Sequence, residues 1–136
     1  MVANLAQAAL WLGTDPVART RTGQSPNEVI HRDGKARVRY FRPRAGVAAQ
    51  APLFCVMPLI NTWTVFDLAP RRSVIEALTG RGVPVYVLDW GRAGPEDRDT
   101  PLCHYVDRVI GRCLDRACRH AAVPAMNVLG YCVGGS

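Results

Sequence analysis

The sequence predicts an α/β fold in which an antiparallel hairpin is followed by a parallel βαβαβ unit ending in a strand–turn motif. Three observations predict it. Asp33-Gly34 separates two strand-like stretches, a strong two-residue hairpin signal. Two continuous apolar runs, Leu53–Met57 and Val83–Leu88, suit strands buried on both faces, and helical periodicity lies after each. Finally, Met126-Asn127-Val128-Leu129 runs into Gly130-Tyr131-Cys132-Val133-Gly134-Gly135, the pattern of a strand turning sharply into a helix.

The elements follow in order. Residues 2–12 read as a short amphipathic helix stopped at Gly13, and 14–26 as a connecting loop with Gly, Pro and Ser/Thr. Residues 1–26 are thus an N-terminal helix and linker, and 27–136 the α/β domain. Glu28–Arg32 and Lys35–Phe41 are the hairpin arms, with Asp33-Gly34 as a type I′ turn. In the second arm Val38 and Tyr40 alternate with Arg37 and Arg39, a half-buried strand, and His31 reads as a surface strand residue. Arg42–Pro52 is a loop. After the Leu53–Met57 strand, Pro58–Thr62 is a turn, and a helix is expected near Arg71–Thr79 with Val74, Ile75 and Leu78 buried. Gly80 and Gly82 end it. The Val83–Leu88 strand closes on Asp89-Trp90-Gly91, and Gly91–Pro101 is polar loop. A longer helix is expected over Leu102–Ala121, with Leu102, Val106, Val109, Ile110, Cys113, Leu114 and Ala117 on one face.

Composition bounds the function. The 136 residues are 49% hydrophobic and 21% charged, which fits a folded core. The net charge of +6 comes with no helix-turn-helix, zinc or RNA-binding signature, so nucleic acid is not expected as a partner. An arginine-biased surface explains the charge, and attraction to an anionic ligand such as a coenzyme phosphate is the next reading. The five cysteines include no C-x-x-C and fit no zinc module, so no metal is expected. The apolar start lacks a basic n-region and is too short to span a bilayer, so a cytoplasmic protein with reduced thiols is expected. Cys55 and Cys113 fall in apolar stripes and Cys103 and Cys118 beside one, and core filling explains all four better than chemistry.

Cys132 differs. In a nucleophile elbow the nucleophile sits in a strained backbone conformation, and small residues two positions either side let strand and helix approach. Gly130 and Gly134 stand at those positions. The helix start aims N–H groups and a positive dipole end at the nucleophile, which favours a thiolate. The other reading is a structural cysteine in a glycine-rich nucleotide loop, but no G-x-G-x-x-G or following Lys supports it. An oxyanion hole would use the backbone N–H of Val133 and one from the loop after the first parallel strand, with Ile60 first and Asn61 next. A thiolate that attacks a thioester forms another thioester, which keeps the acyl group activated for transfer to a hydroxyl.

From about Ser25 onward the sequence resembles the polyhydroxyalkanoate synthases, a branch of the α/β-hydrolase superfamily. Val85-Tyr86-Val87-Leu88-Asp89-Trp90-Gly91 is similar to that family's "VYLIDWG" stretch. Pro58-Leu59-Ile60-Asn61 through Phe66-Asp67-Leu68 is similar to its "P-x-I-N…x-x-D-L" loop, and Arg72-Ser73-Val74 to its "RS" helix start. The elbow matches its lipase-like box, in which Cys replaces Ser. The resemblance implies the N-terminal portion of an α/β-hydrolase fold, truncated at the nucleophile elbow. It implies an acyltransferase that polymerises hydroxyacyl-coenzyme A through a Cys132 thioester, with the thioester as substrate and no other cofactor. It also implies a homodimer or a synthase partner subunit, and a polymer granule surface. The family's triad Asp and His come from later strand-end loops, so this chain alone is expected to be an inactive fragment.

The histidines and acids that are present fit other roles. His104 lies at a helix start and His120 at a helix C-terminus, where the dipole favours a cation. Asp89 ends a strand before the nucleophile, whereas the acid follows it in this fold order, so Asp89 is read as holding the 89–94 loop. Two competing functions are a cysteine hydrolase similar to dienelactone hydrolase, whose elbow also reads G-x-C-x-G-G, and a non-catalytic remnant. The elbow strand is expected to stand as an exposed apolar edge.

Overall fold

The computed structural model describes residues 22–135. The helix expected over 2–12, most of the linker, and Ser136 lie outside the described residues. β1 (Glu28–Asp33) and β2 (Ala36–Phe41) form the hairpin. Asp33 pairs with Ala36, so the turn is Gly34-Lys35. Of these, only Gly34 has positive φ, at 59°. That corrects the expected Asp33-Gly34 type I′ turn, which needs two positive φ values; glycine at the first central position gives the II′ pattern.

β3 (Leu53–Val56) follows the 42–52 loop, and a 3₁₀ turn (Trp63–Phe66) follows β3. A small ladder then forms between β4 (Asp67–Ala69) and β5 (Arg72–Ser73). It takes residues 71–73 out of the expected helix, which runs as α1 (Val74–Thr79). Ser73 is its N-cap, accepting a hydrogen bond from the Glu76 N–H at 3.0 Å. Ile75 is buried, but Val74 is exposed, a second correction. β6 (Val85–Asp89) leads through a polar loop to α2 (Leu102–His104), a π-helical segment (Tyr105–Ile110) and α3 (Gly111–Ala121). The backbone stays helical through both junctions. Within the expected stripe, Val109, Cys113 and Ala117 are buried while Leu102 and Val106 are exposed. Cys103 is exposed too, so core filling does not explain it. β7 (Asn127–Gly130) ends at a 3₁₀ turn (Cys132–Gly135).

The main sheet has the order β1-β2-β6-β3-β7. β1–β2 and β2–β6 are antiparallel, and β6–β3 and β3–β7 parallel. The first crossover steps from β3 to β6 and the second back across β3 to β7. One right-handed rule for both puts their helices on opposite faces of the sheet. Strand alternation supplies a core to each face. Ala36, Val38, Phe54, Val56, Tyr86 and Leu88 meet Val109, Cys113 and Ala117 of the long helix. Phe41, Cys55, Val85 and Val87 meet Trp63, Phe66 and Ile75 on the other side. Burying each large apolar side chain contributes about 1.5–3 kcal/mol, so these two layers dominate stability. The 22–25 segment is fastened by Asp67, 3% exposed, whose carboxylate accepts hydrogen bonds from the N–H and Oγ of Ser25 at 2.7 and 2.9 Å.

Candidate active site

The C-terminal ends of β3, β6 and β7 lie at the same end of the sheet, because the three are parallel. β3 exits toward α1 and β6 toward the long helix. Loops leaving adjacent strands to opposite faces open a crevice, where α/β sheets bind ligands. The elbow stands at this end. Tyr131 donates its N–H to the Val56 carbonyl at 3.1 Å, extending the β7–β3 ladder by one bond. The chain then reverses at Cys132, which has φ +57°. A non-glycine residue in the left-handed region is strained, and such strain gathers at active sites. The Gly134 N–H closes the turn onto the Tyr131 carbonyl at 3.0 Å.

The glycines allow this reversal. A Cβ on Gly134 would stand 2.5 Å from the Val56 carbonyl oxygen and 3.1 Å from that of Met57. A Cβ on Gly130 would run into the backbone of Gly134 and Gly135. Both positions therefore need glycine for close approach. Cys132 itself is exposed and unpaired with any other cysteine. In contrast, burial pushes the Cys55 thiol up to about 12, and burial with the nearby Asp33 charge pushes Cys113 up to about 11. Those two thiols stay protonated, consistent with core filling.

An apolar cleft of about 120 Å³ lies beside the elbow, bounded by Val133 and Gly134, by Met57 and Leu59 after β3, and by Trp90 and Tyr105. A second recess of about 320 Å³, with both charged and apolar walls, shares Leu59, Trp90 and Tyr105 with it and continues toward Asp33, Lys35, Arg92 and His104. From the β3 exit it is Leu59 that reaches the cleft, while Ile60 carries an 80% exposed side chain. Val133 lies in both the elbow and the cleft wall. Trp90 donates its indole N–H to the Met57 carbonyl at 2.6 Å, which pins the start of the 57–62 connection. Tyr131 meets Phe66 edge-on at 5.2 Å between ring centres, which steadies the elbow from the other side. Neither role is read from the sequence. The signal for Trp90 is its place directly after a buried strand, beside an acid and a glycine.

Asp89 behaves as expected of a loop-holding residue. It is 7% exposed, accepts the Gly91 N–H at 3.0 Å and pairs with Arg39 Nε at 2.8 Å. The Arg39 guanidinium also lies over the Trp63 ring at 4.8 Å, tying β2 to the connection after β3. His120 at the end of α3 shares a hydrogen bond of 2.9 Å with the Tyr86 hydroxyl and sits against Tyr40. His104 meets the edge of Tyr105. His31 is half-buried rather than a surface strand residue, because a register shift between Val29 and His31 turns it toward the helix face. Among the described residues no helix is long and apolar enough to cross a membrane.

Fold and site together define an α/β chain with a cysteine at a strained turn over the carboxyl ends of parallel strands. No family model matches the chain. It is 34% identical over 122 residues to the poly(3-hydroxyalkanoate) polymerase subunit PhaC of Haloferax mediterranei, covering 90% of this chain and 25% of that protein. It is 36% identical over 117 residues to the subunit of the same name from Allochromatium vinosum, covering 85% and 33%. The counterpart from Thiocystis violacea is 34% identical over 116 residues, again 85% and 33%. By sequence the chain is similar to poly(3-hydroxyalkanoate) polymerase subunits over 85–90% of its own length, and it spans a quarter to a third of the length of these relatives.

Proposed function

We propose that this chain carries the nucleophile and the acyl cleft of a polyester-forming acyltransferase built on an α/β-hydrolase sheet. The single observation that carries the reading is Cys132 at φ +57°, held between two glycines whose Cβ atoms the backbone would not admit. The sheet order supports it, since a hairpin followed by three parallel strands leads to the elbow. In the proposed step the Cys132 thiolate attacks the carbonyl carbon of a hydroxyacyl-coenzyme A. The bond to coenzyme A sulfur breaks, coenzyme A leaves as its thiolate and takes a proton from solvent, and a Cys132 thioester remains. A hydroxyl of the growing chain then takes the acyl group, forming an ester and returning the Cys132 thiol. The Val133 N–H and one from the 58–61 connection would hold the oxyanion; Ile60 is the residue expected from the sequence, and the place of Leu59 in the cleft wall favours Leu59 over it.

Among the described histidines, His120 is engaged by Tyr86, His31 lies in β1 at the opposite edge of the sheet, and His104 packs on Tyr105 in the recess beside the cleft. In the family that the chain resembles, the triad acid and base follow the nucleophile in sequence, so they are expected from residues other than those described. Hydroxyacyl-coenzyme A as substrate, a partner subunit and the granule surface belong to the same reading. The test is incubation with 3-hydroxybutyryl-coenzyme A while free thiol is followed. One coenzyme A released per chain, without turnover and lost in Cys132→Ala, is expected. Release of free hydroxy acid from a lactone, with no reaction toward the thioester, would instead establish a hydrolase similar to dienelactone hydrolase. No reaction with either would leave a non-catalytic remnant.

A further inference from the structure

We propose that His31, Asp33 and Cys113 form a binding site for one divalent ion of the zinc class, on the long-helix face of the hairpin. The candidate ligand atoms, an imidazole nitrogen, a carboxylate oxygen and Cys113 Sγ, all lie within 4.8 Å of one another. β1 and β7 are opposite edges of the sheet, so this cluster is not at the elbow itself, although Asp33 also lines the far end of the 320 Å³ recess. Its donor set is mixed sulfur, nitrogen and oxygen, which suits zinc and not magnesium or calcium.

A backbone irregularity brings the three together. Val29 pairs with Arg39 and His31 with Val38, so Ile30 is an extra residue in β1. Without that bulge, strand alternation would send His31 and Asp33 to the face of Arg37 and Arg39. With it, His31 pairs with Val38 and Asp33 with Ala36, two residues of the core beneath the long helix. Bulges re-aim side chains in this way and recur next to sites. Cys113, in the first turn of α3 and fully buried, meets them from the helix.

Tetrahedral zinc bonds of about 2.0–2.3 Å put ligand atoms roughly 3.3–3.8 Å apart. The atoms must close by about an ångström, which rotamer adjustments of the half-buried His31 and Asp33 can supply. Asp33 now pairs with Arg112 at 2.6 Å. That pair is partly exposed, with side chains 24% and 49% accessible, and such pairs hold weakly enough for a metal to displace. On binding, the Cys113 Sγ–H proton passes to solvent and sulfur ligates as thiolate. Three protein ligands leave a fourth position for water.

The spacing explains why the sequence hides the site: two ligands lie on one strand, the third on a helix far along the chain, and no short motif links them. The test is Co²⁺ titration of the full chain with Cys103, Cys118 and Cys132 changed to Ser, so that Cys113 and Cys55 alone keep thiols. Binding of one ion per chain, with a thiolate–cobalt charge-transfer band and the visible bands of tetrahedral Co²⁺, is expected, and Zn²⁺ should displace it. His31→Ala and Asp33→Ala, both on half-buried positions, should weaken binding by at least about tenfold, and Arg112→Ala should tighten it. Cys113→Ala should abolish the charge-transfer band. Absence of that band in the background protein, or a band and affinity unmoved by His31→Ala and Asp33→Ala, would overturn the proposal.

Discussion

β3 and β7 are parallel neighbours of similar composition, Leu-Phe-Cys-Val against Asn-Val-Leu-Gly, yet they live in different solvents. Phe54, Cys55 and Val56 are buried, whereas every residue of β7 is exposed, Val128 at 54% and Leu129 at 39%. Each strand also has a cysteine nearby. Cys55 sits mid-strand under the α1 face with its thiol pushed up to about 12, and Cys132 stands free just past the end of β7. Position in the sheet, more than residue type, divides core from chemistry. A strand centre locks a thiol away, and a strained strand end presents one.

The largest expected effect is at the exposed cysteine. Cys132→Ala should remove acyl transfer completely while stability changes by less than about 0.5 kcal/mol, since no core contact is lost. A Cys132→Ser chain should retain only slow transfer, because an alkoxide needs a stronger base. Thiol release and a thermal melt on the same samples check both. The next effect compares the strands directly. Phe54→Ala should cost about 3–5 kcal/mol, and Val128→Ala less than about 0.5 kcal/mol, measured by denaturant unfolding. Equal losses would mean that β7 is covered in solution.

Gly134→Ala comes third. Its methyl would press on the Val56 carbonyl, so a cost of about 1–3 kcal/mol is expected, together with slower labelling of Cys132 as the turn opens. The smallest effect is at the buried cysteine. Cys55→Ala should cost roughly 1 kcal/mol and leave acyl transfer unchanged. It should also flatten the alkaline limb of the stability curve. The Cys55 thiol is raised from 9.0 to about 12 in the fold, so the unfolded chain loses that proton first. Its contribution is present below about pH 9 and is lost as pH rises toward about 12. Unfolding followed across that range, with and without Cys55, checks the sign.

Much of the fold was legible where physics is local. Continuous apolar runs marked β3 and β6, and the spacing of two glycines about Cys132 marked the elbow, because backbone clearance there admits nothing larger. What was not legible depends on partners distant in sequence. The hairpin turn shifted by one residue since Asp33 is held in the ladder opposite Ala36. The bulge at Ile30, which re-aims His31, leaves no trace in periodicity. Val74, Leu102 and Val106 share their helices' apolar spacing but stay exposed, and Leu102 and Val106 line the cleft beside the elbow instead of the core. At the site, Ile60 is expected from its place in the loop after the first parallel strand, whereas the place of Leu59 in the cleft wall, beside a connection held by Trp90 at Met57, depends on contacts distant in sequence.

The most direct measurement compares two exposed thiols of one molecule, Cys132 on its strained turn and Cys103 in an ordinary helical turn. The chain would be mixed with 3-hydroxybutyryl-coenzyme A, quenched over a time course, digested and read by mass spectrometry for acyl adducts at each cysteine. The adduct should form at Cys132 first, at least about tenfold faster than at Cys103, and Gly134→Ala should narrow the gap. Equal rates at both cysteines, or faster acylation of Cys103, would contradict the claim that the elbow makes Cys132 the nucleophile.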